Sequence, residues 1–263
     1  MLYVNEEMII QDQFPDHTLL VKFDPTGLTN VTISWFYESD SELFTLICLK
    51  RHLDQHNIKC KLYMPYVPHA RMDRVKSPGD VFTLKYFCEV INSLNFIEVK
   101  ILDVHSNVTP ALLERVVQMD VMPIIDTALD KFDRGNTAIY FPDEGAMKRY
   151  ADNLGDAYPI AFGIKQRDWA TGAIKGVQVM NPENIIGKDV LIIDDICSYG
   201  GTFYHSAKAL KAAGAKSVSL YITHCENNIE GGRIFDNPEL IDKIYTTGTL
   251  NHTENVADRV YYV

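Results

Sequence analysis

The segment Val190–Thr202 reads Val-Leu-Ile-Ile-Asp-Asp-Ile-Cys-Ser-Tyr-Gly-Gly-Thr. It opens with an apolar, mostly β-branched run, which is typical of a strand covered on both faces of a parallel sheet. Two carboxylates follow the run, and a glycine pair and a threonine then open an amphipathic helix that stops at Gly214. In open α/β sheets, ligands bind beyond the carboxyl ends of the strands. The segment therefore predicts a parallel α/β sheet with a ligand site at this turn.

The residue types after the predicted strand suit a phosphorylated sugar. Asp194 and Asp195 can accept hydrogen bonds from a ribose diol. Gly200 and Gly201 let backbone N–H groups approach an anion, and a helix that begins at Thr202 offers free N–H groups and a positive dipole end to a phosphate. The alternative is an ordinary strand–turn–helix corner, which a lone Gly-Gly-Thr would favour. The apolar run, the aspartate pair and their spacing to the glycines favour the sugar-phosphate site.

Strand and helix patterns alternate along most of the chain. We predict strands at 61–64, 97–104, 137–141 and 217–222, helices at 83–94, 146–154 and 203–213, and an N-cap at Asp40-Ser41 for an earlier helix. Such alternation indicates parallel sheets joined by right-handed crossovers. We place a first domain at 1–122 and a second at 123–263, with a last strand at 258–263 that could return to the first domain.

Composition and charge argue against several classes of function for this chain. The chain has 263 residues and a formal net charge of −10 without any run of Lys or Arg, which argues against nucleic acid as a partner. No apolar stretch has the length of a membrane span, and the N-terminus lacks the basic and apolar regions of a signal peptide. The five cysteines form no Cys-x-x-Cys pair, so we expect a reduced, cytoplasmic protein.

Two further polar residues fall at the tips of predicted strands. His105 follows the strand at 97–104, and Asp143 follows the strand at 137–141. An imidazole and a carboxylate at neighbouring tips can hold Mg²⁺, which needs few protein ligands because water and phosphate oxygens complete its octahedron. The alternatives are a capped strand end for His105 and a helix N-cap for Asp143. Gly145 opens the next helix, whose N-terminus could receive a diphosphate.

Taken together, these motifs resemble a known family. Residues 194–202 are similar to the phosphoribosyl-diphosphate loop that type I phosphoribosyltransferases share with ribose-phosphate diphosphokinases. Segments 64–74, 102–106, 141–149 and 163–167 are similar to diphosphokinase motifs and occur in that family's order. The resemblance implies an α/β protein of two similar phosphoribosyltransferase-like domains, each a mainly parallel sheet flanked by helices. It also implies an enzyme that transfers the β,γ-diphosphate of ATP, with Mg²⁺, to the anomeric hydroxyl of a 5-phosphorylated ribose.

The resemblance also implies roles for individual residues. The catalytic residues would be Lys165, Arg167 and His105, with the two cations closing as a mobile loop over the transferred diphosphate. The magnesium ligands would be His105 and Asp143. ATP would contact Arg71 and Asp73, together with Phe14 and Asp16 from a neighbouring subunit of a dimer or hexamer. The diphosphate loop would be Asp143-Glu144-Gly145, and the ribose phosphate would contact Asp194, Asp195, Ser198, Tyr199, Gly200, Gly201 and Thr202.

One departure from the family pattern leaves the acceptor open. The family usually has Asp followed by Thr or Ser before Gly-Gly-Thr, and this chain has Ser198-Tyr199. A bulky aromatic ring could stack on, or open space for, a larger 5-substituent, so ADP-ribose is an alternative acceptor whose diphosphorylated form could feed NAD rebuilding. A non-catalytic regulatory homologue and a phosphoribosyltransferase acting on a base are further alternatives. The retained Lys165, Arg167 and aspartate pair weigh against a purely regulatory protein.

Overall fold

The chain divides into two compact α/β units. The computed structural model describes residues 1–167, 174–250 and 259–263. The first unit is Met1–Asp120 and the second is Val121–Val263, so the division falls two residues before the boundary expected from the sequence. Each unit contains a mainly parallel sheet with helices between its strands, which is the predicted fold class.

The first unit surrounds a mainly parallel sheet. Its described elements are β1 (Leu2–Val4), β2 (Glu7–Met8), β3 (Gln11–Gln13), β4 (Leu19–Val21), β5 (Asn30–Trp35), α1 (Ser41–Gln55), β6 (Lys59–Tyr63), α2 (Thr83–Ser93), β7 (Val99–Leu102), α3 (Val108–Leu112) and β8 (Val116–Met119). The strand order is β2-β1-β5-β6-β7-β8, with β5 to β8 parallel, and β3 and β4 form a separate hairpin. In α2, Leu84, Phe87, Cys88 and Ile91 recur at helical spacing and are all buried, which is why this helix packs on the sheet.

The second unit has the same kind of architecture. Its described elements are α4 (Met122–Leu129), β9 (Thr137–Phe141), α5 (Glu144–Leu154), β10 (Ile160–Arg167), β11 (Ile174–Met180), β12 (Asp189–Cys197), α6 (Gly201–Ala212), β13 (Ser217–Cys225), α7 (Arg233–Asp236), β14 (Lys243–Thr246) and β15 (Val260–Tyr262). The strand order is β11-β10-β9-β12-β13-β14-β15, and β11 runs antiparallel to its neighbour while the other pairs are parallel. Strands β9 and β12 occupy the middle of this sheet, which explains their continuous apolar sequences.

Two predicted features of the elements need correction. Asp40 precedes α1, but its side chain does not cap the helix, because its backbone is already helical (φ −64°, ψ −21°). Its carboxylate instead accepts a hydrogen bond from the Tyr37 hydroxyl at 3.0 Å and lies 3.2 Å from His69 Nε2. The last strand does not return to the first unit, because β15 pairs in parallel with β14 of the second.

The segment that carries Lys165 and Arg167 was expected to be a mobile loop, but it begins as a strand. Lys165 lies within β10, opposite Val177 of β11, and the strand continues to Arg167. The side chain of Arg167 and residues 168–173 lie outside the described part of the structure. Within the described residues, no helix is both long enough and apolar enough to cross a membrane.

Ile192 provides a test of how much the central strand contributes to stability. Its side chain is fully buried, and it pairs with Tyr140 on one side and Leu220 on the other. We expect Ile192→Ala to lower the free energy of unfolding by about 2–5 kcal/mol, because the cavity left behind cannot be refilled. Ile186, with 63% of its side chain exposed, is the matched control, and Ile186→Ala is expected to change stability by no more than about 0.5 kcal/mol. Urea titration measures both values, and equal losses would contradict this assignment of the core.

Candidate active site

The middle of the second sheet brings two predicted ligand loops together. Strands β9 and β12 are adjacent and parallel, with Ile192 opposite Tyr140. Parallel neighbours end at the same edge of a sheet, so the loop after β9 and the loop after β12 emerge side by side. The first loop carries Asp143 and leads into α5, and the second carries Ser198 and leads into α6. Two helix N-termini therefore begin at the carboxyl edge of this sheet.

The aspartate pair lies inside β12 rather than after its end. The strand runs to Cys197, four residues beyond the apolar run, because β13 pairs with it as far as Cys225. Asp194 and Asp195 are consecutive residues near the carboxyl end of this strand, and their carboxyl groups interact with each other. Asp194 lines a cavity with residues of the loop after β12. Asp195 is only 2% exposed, and its Oδ1 lies 3.0 Å from Nη1 of Arg149 on α5.

The cavity beside Asp194 has the size and lining expected of a site that binds a small anion. Its volume is about 190 Å³, and its walls are Asp194 and residues 196–203. Drug-sized ligands usually occupy about 300–1,000 Å³, so this space suits a smaller group such as a sugar phosphate. Helix α6 begins at Gly201 without a side-chain N-cap. Its first N–H groups therefore have no side-chain acceptor and could bind an anion at the loop.

The two glycines of this loop serve different needs. Gly200 has a φ of +70°, and a Cβ there would lie 2.3 Å from Cδ1 of Ile234. Gly201 has open space around the position of a Cβ. The first glycine is therefore required by the backbone and by packing, whereas the second leaves the start of α6 accessible to a ligand.

Tyr199 lies at the rim of this cavity with 61% of its side chain exposed. Its backbone is supported from behind, because a Cβ at Gly232 would lie 2.1 Å from the Tyr199 carbonyl oxygen. Gly232 and Ile234 thus form a second layer under the loop, and the sequence analysis did not identify either of them. Only the glycine signals such a role in the sequence, since close backbone contact requires it.

The loop after β9 holds a partly buried ion pair. Asp143 is the N-cap of α5 and accepts a hydrogen bond from the Ala146 N–H at 3.1 Å. Its Oδ2 also accepts a hydrogen bond from Lys165 Nζ at 2.8 Å. Burial raises the pKa of the Asp143 carboxyl, but the hydrogen bonds from Lys165 and Ala146 outweigh it, so the net pKa lies below the ordinary value. The N-cap alternative for Asp143 is therefore what the structure shows, together with a cation partner.

Asp143 supplies too few oxygen atoms to hold a magnesium ion by itself, so phosphate oxygens of a substrate would have to complete the coordination. Within the described residues, no cluster of three or more His, Cys, Asp or Glu side chains could hold a metal. Mg²⁺ is commonly bound through one or two carboxylates plus substrate phosphates, so Asp143 could supply one such carboxylate through the oxygen that Lys165 does not contact. Asp143 belongs to the second unit and His105 to the first.

The ionised form of Asp194 is disfavoured in the folded protein. Removal from water raises the pKa of its carboxyl, and the adjacent Asp195 carboxylate raises it further. The backbone N–H of Asp195 donates to Asp194 Oδ1 at 3.0 Å, and no described Lys, Arg or His side chain forms an ion pair with Asp194. A ligand hydroxyl or a cation that approaches Asp194 would offset this cost.

The other residues of the diphosphate loop are more exposed. Glu144 pairs with Lys148 at 2.7 Å on the surface of α5. A Cβ at Gly145 would lie 3.2 Å from Asp143 Oδ1, so a side chain there would crowd the cap.

Thr202 follows Gly201 in the first turn of α6, and Ser198 precedes it in the cavity wall. The structure thus brings these residues to the edge where the sequence placed them.

The first unit gathers part of the predicted ATP set. Asp73 is buried and forms a two-point hydrogen bond with Arg74, at 2.7 Å to Nε and 3.0 Å to Nη2. This pairing lowers the pKa of the Asp73 carboxyl, and the nearby His105 also lowers it. Asp73 and His105 therefore lie close together. Arg71, two residues before Asp73, is exposed.

Phe14 and Asp16 lie apart from that cluster, in the turn between β3 and β4. Phe14 is half exposed, and Asp16 accepts hydrogen bonds from Thr18, at 3.1 Å to N and 2.7 Å to Oγ1. These bonds lower the pKa of the exposed Asp16 carboxyl. Both residues are thus displayed on a hairpin tip, and their role toward ATP stays a prediction.

Asp194→Asn should stabilise the protein at neutral pH. The folded state raises the pKa of Asp194, so above its ordinary pKa the ionised carboxyl favours the unfolded chain, and the amide removes that cost. We expect a gain of about 1 kcal/mol, or roughly 2–4 °C in the thermal midpoint. The gain should disappear as the pH falls toward about 4. Scanning calorimetry across this pH range tests it, with the exposed Asp126→Asn as control, and a pH-independent difference would contradict it.

The two loop glycines should respond differently to alanine. We expect Gly200→Ala to cost about 2–4 kcal/mol of stability, from left-handed backbone strain and overpacking against Ile234. Gly201→Ala should fold normally and bind inorganic phosphate more weakly, because its methyl group would occupy open space at the cavity wall. Urea titration and calorimetric phosphate binding distinguish the two effects. Equal stability of the two variants would contradict the packing assigned to Gly200.

Comparison with known proteins identifies the same region. The phosphoribosyl transferase domain family matches residues 145–245. A ribose-phosphate pyrophosphokinase of Pyrococcus abyssi is 30% identical over 222 residues, which are 81% of this chain and 74% of that protein. A ribose-phosphate pyrophosphokinase of Thermococcus kodakarensis is 27% identical over 244 residues, which are 90% of this chain and 84% of that protein.

A solved structure shares the fold. The crystal structure of phosphoribosylpyrophosphate synthetase from Mycobacterium smegmatis matches 97% of this chain and 85% of that chain, with a TM-score of 0.81 at 18% identity. This match confirms the predicted fold class. The 30% identity to the Pyrococcus abyssi protein, over most of both chains, confirms the resemblance read from the sequence. The chain belongs to the ribose-phosphate pyrophosphokinase family.

Proposed function

We propose that this protein transfers the β,γ-diphosphate of ATP to the anomeric hydroxyl of a 5-phosphorylated ribose, giving phosphoribosyl diphosphate and AMP. One observation carries the proposal. The anion-binding start of α6 beside Asp194 and the Lys165–Asp143 pair at the start of α5 meet at one edge of a sheet. Family membership supports the same reaction, since the relatives are named for it.

The acceptor would occupy the cavity beside Asp194. Its 5-phosphate would bind the N–H groups at the start of α6, next to Gly201 and Thr202. Ring hydroxyls would donate to the aspartates at the end of β12, which can act only as acceptors when ionised. This arrangement would direct the anomeric hydroxyl toward the neighbouring loop after β9.

Transfer would take place where Lys165 meets Asp143. The anomeric oxygen attacks the β-phosphorus of ATP, the bond from that phosphorus to the bridging oxygen breaks, and AMP leaves while the hydroxyl loses its proton. Lys165, joined by Arg167, would neutralise charge on the transferred group, and the start of α5 would bind its terminal phosphate. Magnesium would neutralise further phosphate charge, and Asp143 is the residue of this unit predicted to hold it.

The nucleotide side of the proposal rests on the first unit. Arg71 and Asp73 would contact ATP, close to His105. Phe14 and Asp16 would reach the adenine of a neighbouring subunit, which makes a homo-oligomer part of the proposal. Their exposure on the β3–β4 hairpin leaves them accessible for such a contact.

A second candidate acceptor is favoured by Tyr199. Its ring replaces a small hydroxyl residue of the family pattern and stands exposed at the rim of the cavity, so it can stack on a base or ribose beyond the 5-phosphate. ADP-ribose has such a group, and the same diphosphotransfer would then serve NAD rebuilding. The two acceptors differ only beyond the 5-phosphate, so both fit the same site.

AMP release tests the function directly. The protein would be incubated with ATP and Mg²⁺ and with ribose 5-phosphate, ADP-ribose or no acceptor. AMP release that depends on either acceptor supports diphosphotransfer, and the faster acceptor identifies the substrate. Lys165→Ala is the control for the chemistry, with an expected loss of at least about a hundredfold in kcat. No acceptor-dependent AMP release would overturn the proposal and favour a regulatory or base-transferring protein.

Tyr199 variants then decide the acceptor. If the ring stacks on a larger 5-substituent, Tyr199→Thr should lower kcat/KM for ADP-ribose by about tenfold relative to ribose 5-phosphate, a loss typical of one stacking contact. Tyr199→Phe retains the ring and should keep the wild-type preference. An unchanged preference in Tyr199→Thr would show that Tyr199 does not select the acceptor.

A further inference from the structure

Arg149 is the cation that holds the buried member of the aspartate pair. Its Nη1 lies 3.0 Å from Asp195 Oδ1, and the Asp195 side chain is 3% exposed. The guanidinium also lies 5.4 Å from the ring centroid of Tyr150, which is fully buried and stacks on Phe141 of β9. Arg149 is thus fixed by contacts with β12 and with its own helix.

The preceding residue shows what an ordinary cation on this helix does. Lys148 pairs with Glu144 at 2.7 Å, and both side chains are about 70% exposed, at 71% and 69%. Such surface pairs contribute little to stability or geometry because water screens them. The Arg149 side chain is only 25% exposed and contacts a carboxylate that is almost entirely buried. Removing one partner of a buried pair leaves the other charge uncompensated.

This ion pair also crosses between two ligand loops. Helix α5 begins at the Asp143 loop, and β12 leads into the 198–202 loop. The contact between Arg149 and Asp195 therefore joins the element that carries the diphosphate loop to the strand that carries the sugar loop. Asp194, the preceding residue, has no such partner among the described cations. The two carboxylates of the motif are consequently not equivalent.

We propose that Arg149 is a positioning residue that orients Asp195 for binding of the ribose acceptor. The inference rests on the proposed function, because it assigns Asp195 to the hydroxyls of the acceptor. Arg149 itself contacts neither substrate. Its guanidinium pairs with the Asp195 carboxylate and fixes the direction of that carboxylate near the carboxyl end of β12.

Steady-state kinetics of Arg149→Met test the positioning role. We expect KM for the acceptor to rise about tenfold, equivalent to about 1.4 kcal/mol, while KM for ATP changes less than about threefold. Arg149→Lys keeps a positive charge without the fork of donors, so part of the loss should be recovered. Lys148→Met is the matched control on the same helix, and its constants should equal those of the wild type. Circular dichroism establishes that each variant is folded.

A double-mutant cycle separates action through Asp195 from a general structural effect. If Arg149 works through Asp195, Arg149→Met should not raise acceptor KM further in an Asp195→Asn background. Additive effects in the two backgrounds, an equal rise in KM for ATP, or unchanged constants would each overturn the inference.

Direct binding keeps this test independent of catalysis. Calorimetric titration with ribose 5-phosphate measures acceptor affinity without turnover, and Arg149→Met should weaken it about tenfold. If the wild type binds ribose 5-phosphate but releases no AMP, the proposed transfer fails while the role of Arg149 is still decided by binding. If the wild type does not bind ribose 5-phosphate or ADP-ribose, both proposals are overturned.

Discussion

The parallel pairing of β9 with β12 is the contact on which the candidate site depends. Buried backbone N–H and C=O groups must find partners, and the ladder between these central strands satisfies them on both sides. A slip of one residue would move every side chain to the opposite face, so burial of both faces holds the register. With Ile192 opposite Tyr140, the loops that begin at Asp143 and Ser198 are held next to each other. Their proximity follows from backbone pairing and needs no contact between the loops themselves.

Two of the three aspartates at this edge have a cation partner, and the third has none among the described residues. Asp143 is balanced by Lys165, and Asp195 is balanced by Arg149. Asp194 has a raised pKa and no described cation partner, so its ionised form is disfavoured in the folded protein. Binding sites commonly retain such unfavourable groups because a ligand offsets the cost only when it is present. A hydroxyl-rich, phosphate-bearing acceptor, as proposed, would satisfy both Asp194 and the N–H groups at the start of α6.

In the proposed reaction, acceptor choice and acceptor binding would involve different parts of this loop. The start of α6 and the aspartates would bind features that ribose 5-phosphate and ADP-ribose share, whereas Tyr199 lies at the rim, where only the larger molecule extends. Gly232 and Ile234 pack under the backbone of Tyr199 and Gly200, so the ring could change without disturbing the proposed phosphate site. A change of substrate within this fold therefore requires little alteration of its core.

Local sequence patterns determined the elements and the order of the motifs. The strand at 137–141 agrees with the prediction, and the helix from Thr83 ends one residue early, because apolar periodicity depends on neighbouring residues of the same segment. The family resemblance and the predicted sugar-binding loop could also be recognised from the sequence, because glycine, aspartate and apolar residues at fixed spacing restrict the local backbone conformation. Tertiary structure alone decided that β12 continues through the aspartates, that β15 stays in the second sheet, and that Arg149 holds Asp195. Each of these depends on which strands and helices become neighbours, and no local periodicity encodes the partner of a side chain that is distant in the chain.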